Sequence, residues 1–294
     1  MSKEPNKNAA TSQNLPRESA LKHLEPGILS EDRSFVKALA RGLMVLEAFS
    51  KSDSGWMTAT EIAESVKLPQ PTVMRFLRSL QRTGYLHNSE NRRQYRLGAG
   101  VLALGYAARE PFSLGELARP YLYDLANTYN VHASLAKRDR LDAIELEVCH
   151  SLKTLMTLQL EVGSRLPLAG TATGMALIAA LPPTEYDYLM NNLQERHSQN
   201  WHHLLPQIEA ACAEVASVGY VTAHGSWNTD INGVAVPLVS PGGSPVFSLA
   251  CGAPALHLSR EKQHVIGERL LDIKAAIEEK IRSGEALNSR KKTP

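Results

Sequence analysis

Cysteine is scarce in this 294-residue sequence, and its placement excludes most cysteine chemistry. Cys149, Cys212 and Cys251 are odd in number and far apart. They make neither a disulfide framework nor a CxxC metal pair, so buried, inert thiols are expected. Long apolar runs are missing too. No stretch of about 18 apolar residues occurs, which excludes a membrane-spanning helix. Residues 1–13 lack the apolar core of a signal peptide, so a cytoplasmic location is expected. Catalytic signatures are equally thin. There is no Gly-x-Ser-x-Gly, no P-loop and no GxGxxG. Ser34 and Lys37 have Ser-x-x-Lys spacing, but they lie on the first predicted helix without partner motifs. His197, His202 and His203 gather near Trp201, with Cys212 further along. A zinc site needs three or four convergent ligands, so a polar helix start is the favoured reading. No cofactor, no metal and no enzymatic activity are expected.

Net charge is only +2, but its distribution is informative. Residues 33–100 carry 11 Lys/Arg against 5 Asp/Glu, while the two flanking segments are slightly acidic. One basic block on an otherwise acidic chain is the footprint of a single nucleic-acid-binding part. The pattern within that block is specific. Phe35, Leu39, Leu43, Leu46 and Phe49 recur at helical spacing. Thr58-Ala-Thr-Glu61 reads as a capping box opening a helix through Val66. Leu68-Pro69-Gln70-Pro71 is a tight connection, with Pro71 suited to the first turn of a second helix. That helix runs to about Thr83, and Gly84 stops it. Two short strands, 85–87 and 94–97, then flank a polar turn.

Two short helices, a tight connection and a hairpin make a winged helix-turn-helix. The second helix offers Gln70 and Thr72 near its start and Arg75 and Arg78 along its length. These residue types suit base edges and phosphates of double-stranded DNA. Arg92 and Arg93 sit at the wing tip, and Lys37 and Arg41 add backbone contacts from the first helix. The DNA-binding candidates are therefore Gln70, Thr72, Arg75, Arg78, Arg92 and Arg93.

The expected organisation is two-domain α/β. Residues 1–33 are a disordered tail, 34–98 the winged helix-turn-helix, 99–112 a linker helix, 113–283 an α/β effector-binding domain and 284–294 a tail. Within the second domain, helices are expected at 114–129, 171–181, 184–193, 201–217 and 259–282. Strands are expected near 131–137, 143–148, 154–161, 231–238 and 245–251.

Ala40-Arg-Gly-Leu-Met-Val-Leu-Glu47, Thr60-Glu-Ile-Ala63 and Leu68-Pro-Gln-Pro-Thr-Val-Met-Arg-Phe-Leu77 resemble the IclR family of bacterial regulators. Tyr95-Arg-Leu-Gly98 resembles that family's wing end. Gly163-Ser-Arg-Leu-Pro-Leu168 with Thr171-Ala-Thr-Gly174 resembles its effector loop, and Gly219-Tyr220 and Gly233-Val-Ala-Val-Pro237 continue the match. The resemblance runs from residue 34 to about 282. It implies a GAF-like effector domain, homodimers pairing into tetramers, and control of catabolic operons. It also implies an effector pocket lined by Ala169, Gly170, Thr171, Ala223, Gly233, Ala250 and Gly252. At the last four, family members that bind small 2-oxo acids typically carry Asp, Cys and two Ser. The small residues here suit a larger, more apolar small organic acid, with an aromatic-catabolism metabolite the class indicated. Gly170 and Thr171 would meet its carboxylate with backbone N–H groups and a hydroxyl. His224, Ser226, Trp227 and Asn228 are further near-pocket candidates. Two alternatives stand beside this reading. One is a ligand-binding or enzymatic α/β domain whose helix-turn-helix only dimerises; the other is a non-specific DNA-compacting protein.

Overall fold

The computed structural model describes residues 36–52, 54–89, 91–108, 114–151, 158, 160–239 and 246–283. They form two compact units, Val36–Val101 and 102–283, each with its own buried core. Among the described residues no helix is long and apolar enough to cross a membrane.

In the first unit, α1 (Lys37–Glu47) tightens into a 3-10 turn at Ala48–Lys51. After β1 (Met57–Thr58), α2 (Ala59–Val66) begins with the capping box expected from sequence. The Glu61 N–H donates to Thr58 Oγ1 at 3.2 Å, and the Thr58 N–H donates to Glu61 Oε2 at 2.7 Å. Two otherwise orphaned helix-end donors are thereby satisfied. The third helix, α3 (Gln70–Arg82), has Pro71 in its first turn. Gly84 follows it with φ +82°, a conformation that suits glycine. β2 (Leu86–Ser89) and β3 (Gln94–Leu97) form the wing, and β1 pairs with the other edge of β3. Val73 and Leu77 lie one turn apart on α3 and are fully buried, as are Val45, Ile62 and Val66. The chain leaves this unit along α4 (Ala99–Ala107).

The second unit is a six-stranded antiparallel sheet ordered β6-β5-β4-β9-β8-β7. Its strands are β4 (His132–Asp139), β5 (Asp142–Cys149), β6 (Arg165–Pro167), β7 (Val221–His224), β8 (Ile231–Val239) and β9 (Val246–Pro254). α5 (Leu114–Tyr129) and α9 (Arg260–Arg282) cover one face, and their apolar residues share a cluster with Leu135, Val236, Leu249 and Cys251. α6 (Ala172–Ala179), α7 (Pro183–Arg196) and α8 (Trp201–Val218) contribute to the core of the other face. Along β9 the period of two sends Leu249 and Cys251 to the α5–α9 side and Ala250 to the α6 side.

Several expected boundaries shift. The strand expected at 154–161 falls largely on residues outside the described set, and its described members Leu158, Leu160 and Glu161 belong to no strand. The first helix and the linker helix are shorter than their apolar patterns suggested. The two-, three- and four-residue strands β1, β6 and β7 had no sequence signal, because at that length pairing alone defines them.

Strand β5 carries a bulge. Leu135 pairs with Glu147, but the next residue, Ala136, pairs with Glu145, so Leu146 is an extra residue on β5. Such a bulge reverses the facing of side chains on either side of it. Glu147 meets Arg119 of α5 at 2.8 Å on one face of the sheet. Glu145 enters the opposite face, beside His132 at 3.9 Å.

Candidate functional site

The first candidate surface is the outer side of α3. With Val73 and Leu77 buried, Arg75, Arg78 and Arg82 fall on the opposite side at helical spacing, all exposed. Gln70 and Thr72 flank the start of the helix. Gln70 is exposed and its amide donates to Thr60 Oγ1 at 3.3 Å, so α2 steadies it. Arg92 and Arg93 are exposed at the turn between β2 and β3, Arg93 with φ +51°. Lys37 and Arg41 are exposed on α1. Arg82 was missed from sequence, although its spacing of seven from Arg75 was there to read. At the wing base, the Arg96 guanidinium lies 5.1 Å over the Trp56 ring, a cation–π contact between β3 and the segment before β1.

The second candidate is a cavity between the sheet of the second unit and the start of α6. It encloses about 470 Å³ of empty space, part of it open to solvent, a size that suits a small organic ligand. Gly170, Thr171, Ala223, Gly233, Ala250 and Gly252 all line it. Ala169 does not: it is buried with Leu166, Leu168 and Leu177 in the neighbouring core. Gly170, at φ +94°, turns the chain between these two environments. Ser226 and Trp227 also line the cavity, whereas His224 and Asn228 do not. Asn228 instead accepts from the Asp230 N–H at 3.1 Å and closes its own turn.

The glycines are what keep this space open. A Cβ on Gly252 would lie 3.0 Å from Leu158 Cδ1, and one on Gly233 would lie 3.2 Å from the Ala172 Cβ. The start of α6 is held just as closely. A Cβ on Gly174 would stand 2.6 Å from the Leu168 carbonyl carbon, and nearer still to that residue's O and Cα. Only glycine lets the helix approach the loop this way. That loop is itself anchored: Arg165 pairs with Asp139, and Asp142 is held by Arg196 at 3.0 Å.

The Thr171 hydroxyl has a different role from the one expected. It donates to Pro167 O at 2.7 Å and accepts from the Gly174 N–H at 3.0 Å, which makes it the N-cap of α6. Its proton is therefore committed. The Met175 N–H bonds to Thr171 O. The N–H groups of Ala172 and Thr173 remain at the helix start without an intrahelical acceptor, and both residues line the cavity. They, rather than the Thr171 hydroxyl, are the donors for an anion there.

Sequence reading also missed the polar part of the wall. His132, Ser134 and Glu145 line the cavity and are 4%, 1% and 1% exposed. Both ring nitrogens of His132, the Ser134 hydroxyl and both Glu145 carboxylate oxygens lack a hydrogen-bond partner among the described residues. Behind them the His150 ring lies 5.1 Å from that of His132, with Nε2 against Leu160 O at 3.0 Å. Burial and the neighbouring His132 hold His150 below its usual range, favouring the neutral ring.

The thiols have no part in this. Burial pushes Cys149, Cys212 and Cys251 up, away from the reactive thiolate. His202 and His203 stack at 3.9 Å on an exposed helix start. Among the described residues no three His, Cys, Asp or Glu side chains come together in a way that could hold a metal ion.

Both units match known families. Residues 38–90 match the IclR helix-turn-helix domain, and residues 108–279 match the bacterial transcriptional regulator IclR C-terminal domain. The chain belongs to the IclR family of transcriptional regulators. It is 30% identical over 222 residues to the HTH-type transcriptional regulator TsaQ1/TsaQ2 of Comamonas testosteroni, covering 75% of this chain and 79% of that one. It is 28% identical over 245 residues to the Pca regulon regulatory protein of Pseudomonas putida, covering 82% and 81%. The crystal structure of an IclR family transcriptional regulator from Brucella abortus superposes with a TM-score of 0.73 at 36% identity, covering 89% of this chain and 98% of that one. This IclR regulator thus pairs a DNA-binding winged helix-turn-helix with a C-terminal α/β domain, and its relatives are regulators of transcription.

Proposed function

We propose that this IclR regulator grips its operator with Gln70, Thr72, Arg75, Arg78, Arg92 and Arg93, joined by Arg82. We propose further that a small organic acid in the cavity of the second unit changes that grip, with an aromatic acid the class the cavity suits best. The protein would act as a homodimer or a tetramer of two dimers, matching two operator half-sites. The observation that carries this is the cavity itself. Glycines at 233 and 252 hold open a space whose wall includes Trp227, Leu158, Leu160, Leu166 and Ile231, with helix-start N–H groups at its edge. A flat apolar ring fits such walls, and a carboxylate fits the helix start. Ligand and DNA are coupled only if the ligand favours one of two arrangements of the protein.

Filling the cavity is the test. Gly252→Leu adds four carbons to the cavity wall and leaves the DNA-binding unit untouched. The variant should bind promoter DNA of its adjacent genes as the parent does, yet lose the thermal stabilisation that 4-hydroxybenzoate gives the parent. At a ligand concentration of 100 times Kd that stabilisation is about 2.7 kcal/mol. A variant stabilised as strongly as the parent would place the effector elsewhere.

A further inference from the structure

The cavity has two chemically opposed ends, and they restrict its ligand beyond "an organic acid". This step rests on the cavity being the effector site. One end is the start of α6, with the N–H groups of Ala172 and Thr173. Ala172 sits over β8, since a Cβ on Gly233 would nearly touch its own. The other end lies on β4 and β5, where His132, Ser134 and Glu145 project. In register, His132 faces Gly252, and Gly252 faces Gly233.

The β5 end is built of groups that need a partner. A buried polar group left unpaired costs as much as a lost hydrogen bond, so native structures keep few of them. Here three neighbouring side chains have none among the described residues, and all three line one cavity. The bulge at Leu146 is the device that puts a carboxylate there at all. Glu145 presents two acceptor oxygens and therefore repels a second carboxylate at close range. Water in such a place is displaced favourably only by a group that reproduces its hydrogen bonds.

We propose that the effector carries a hydroxyl at the end remote from its carboxylate, and that Glu145, with Ser134 and His132 beside it, reads that hydroxyl. The carboxylate lies on the α6 start, and the hydroxyl donates to Glu145. Strand spacing sets the length. Adjacent strands are about 4.8 Å apart, so the β8 line is about 10 Å from β4 and about 14 Å from β5. Two hydrogen bonds of about 2.8 Å use part of that span and leave roughly 4–9 Å between the ligand's own polar atoms. One benzene ring substituted at opposite positions has that length. The ligand class is a para-hydroxylated aromatic acid.

Calorimetry on the full-length protein with four probes tests this: 4-hydroxybenzoate, 4-methoxybenzoate, benzoate and terephthalate. 4-Hydroxybenzoate should bind at least about tenfold tighter than benzoate and 4-methoxybenzoate, because those leave Glu145 without a donor. Terephthalate should be weaker than 4-hydroxybenzoate by about a hundredfold, since its second carboxylate meets Glu145. Glu145→Gln is isosteric and supplies an amide donor, so it should restore terephthalate binding while weakening that of 4-hydroxybenzoate. Ser134→Ala gives a second reading: 4-hydroxybenzoate should weaken about tenfold with benzoate unchanged. Equal affinity for 4-hydroxybenzoate, 4-methoxybenzoate and benzoate would overturn the hydroxyl-reading end and leave the effector site standing. So would terephthalate binding the parent as tightly as 4-hydroxybenzoate. Binding of none of the four would overturn both.

Discussion

Replacing Gly174 by alanine is the sharpest structural test available. The added methyl would stand 2.6 Å from the Leu168 carbonyl carbon, with that residue's O and Cα closer still. All three are backbone atoms, so no rotamer change relieves the clash. An ordinary contact begins near 3.4 Å, so α6 or the loop must move by about 1 Å. Neither moves freely. Every residue from Ala172 to Ile178 is buried, and Arg165 ties the loop to Asp139. Moving α6 off the sheet opens gaps beside Ala235 and Ala250 and strains the Thr171 cap. Overpacking costs about 1–3 kcal/mol and lost core contacts add about 2–5 kcal/mol, so a loss of about 3–5 kcal/mol is expected. In a domain of this size that lowers the midpoint of its thermal transition by about 10 °C. Gly105→Ala is the control, because nothing lies within 4 Å of a Cβ there. It should be neutral or stabilise α4 by up to about 1 kcal/mol. Calorimetric scans showing Gly174→Ala within 1 kcal/mol of the parent would refute the close approach of α6 to Leu168.

Two further outcomes are expected of the first unit and the helix that leaves it. Arg75→Ala, Arg78→Ala or Arg82→Ala should weaken promoter binding by about 1–3 kcal/mol where the side chain contacts a guanine. A phosphate contact would instead weaken all sequences alike and flatten the salt dependence by about one unit of slope, as fluorescence anisotropy at several salt concentrations would show. The chain should sediment as a dimer or tetramer, because α4 has no buried residue and exposes Leu102 at 77% and Tyr106 at 74%, while α1 exposes Leu39 at 63%. A single 32.2 kDa species at micromolar concentration would contradict this.

The parts of this molecule that were legible in its sequence are those built from neighbours in the chain. The cap of α2 needs only Thr58 and Glu61, the start of α3 only Pro71, and its stop only Gly84. The long helices α5, α8 and α9 announce themselves by period. The cavity was legible only through resemblance, and then unevenly. Ala169 adjoins two lining residues, but the positive φ of Gly170 turns it into the core. The polar end was illegible for a deeper reason. Strict alternation puts Glu145 and Glu147 on one face of β5, where both read as solvent-facing charges. The bulge that separates them exists only in the pairing of β5 with β4, ten and more residues away. His132 and Ser134 likewise read as ordinary polar residues of a strand until β9 lies beside them.

The same features explain why so costly an arrangement persists. A cavity with glycine walls forgoes the packing that side chains would supply, and three unpaired polar groups add desolvation on top. Other buried polar groups of this unit are matched: Asp142 is paired with Arg196, Glu147 with Arg119, and the buried Gln263 donates to two carbonyls, Ala223 O and Gly233 O. Deficits that were mere tolerance would be scattered. These converge on one space, under a helix start fixed by a cap, a glycine contact and an anchored loop. Rigidity at that helix matters for signalling. A ligand that bridges the Ala172–Thr173 end and the Glu145 end links α6 to β4 and β5 directly. Because α6 is buried along nearly its whole length, it responds to that link as one body rather than by local yielding. A ligand with the acid but no remote hydroxyl engages only the helix end. It can occupy the cavity without making that link, and so has no means of favouring one arrangement over the other.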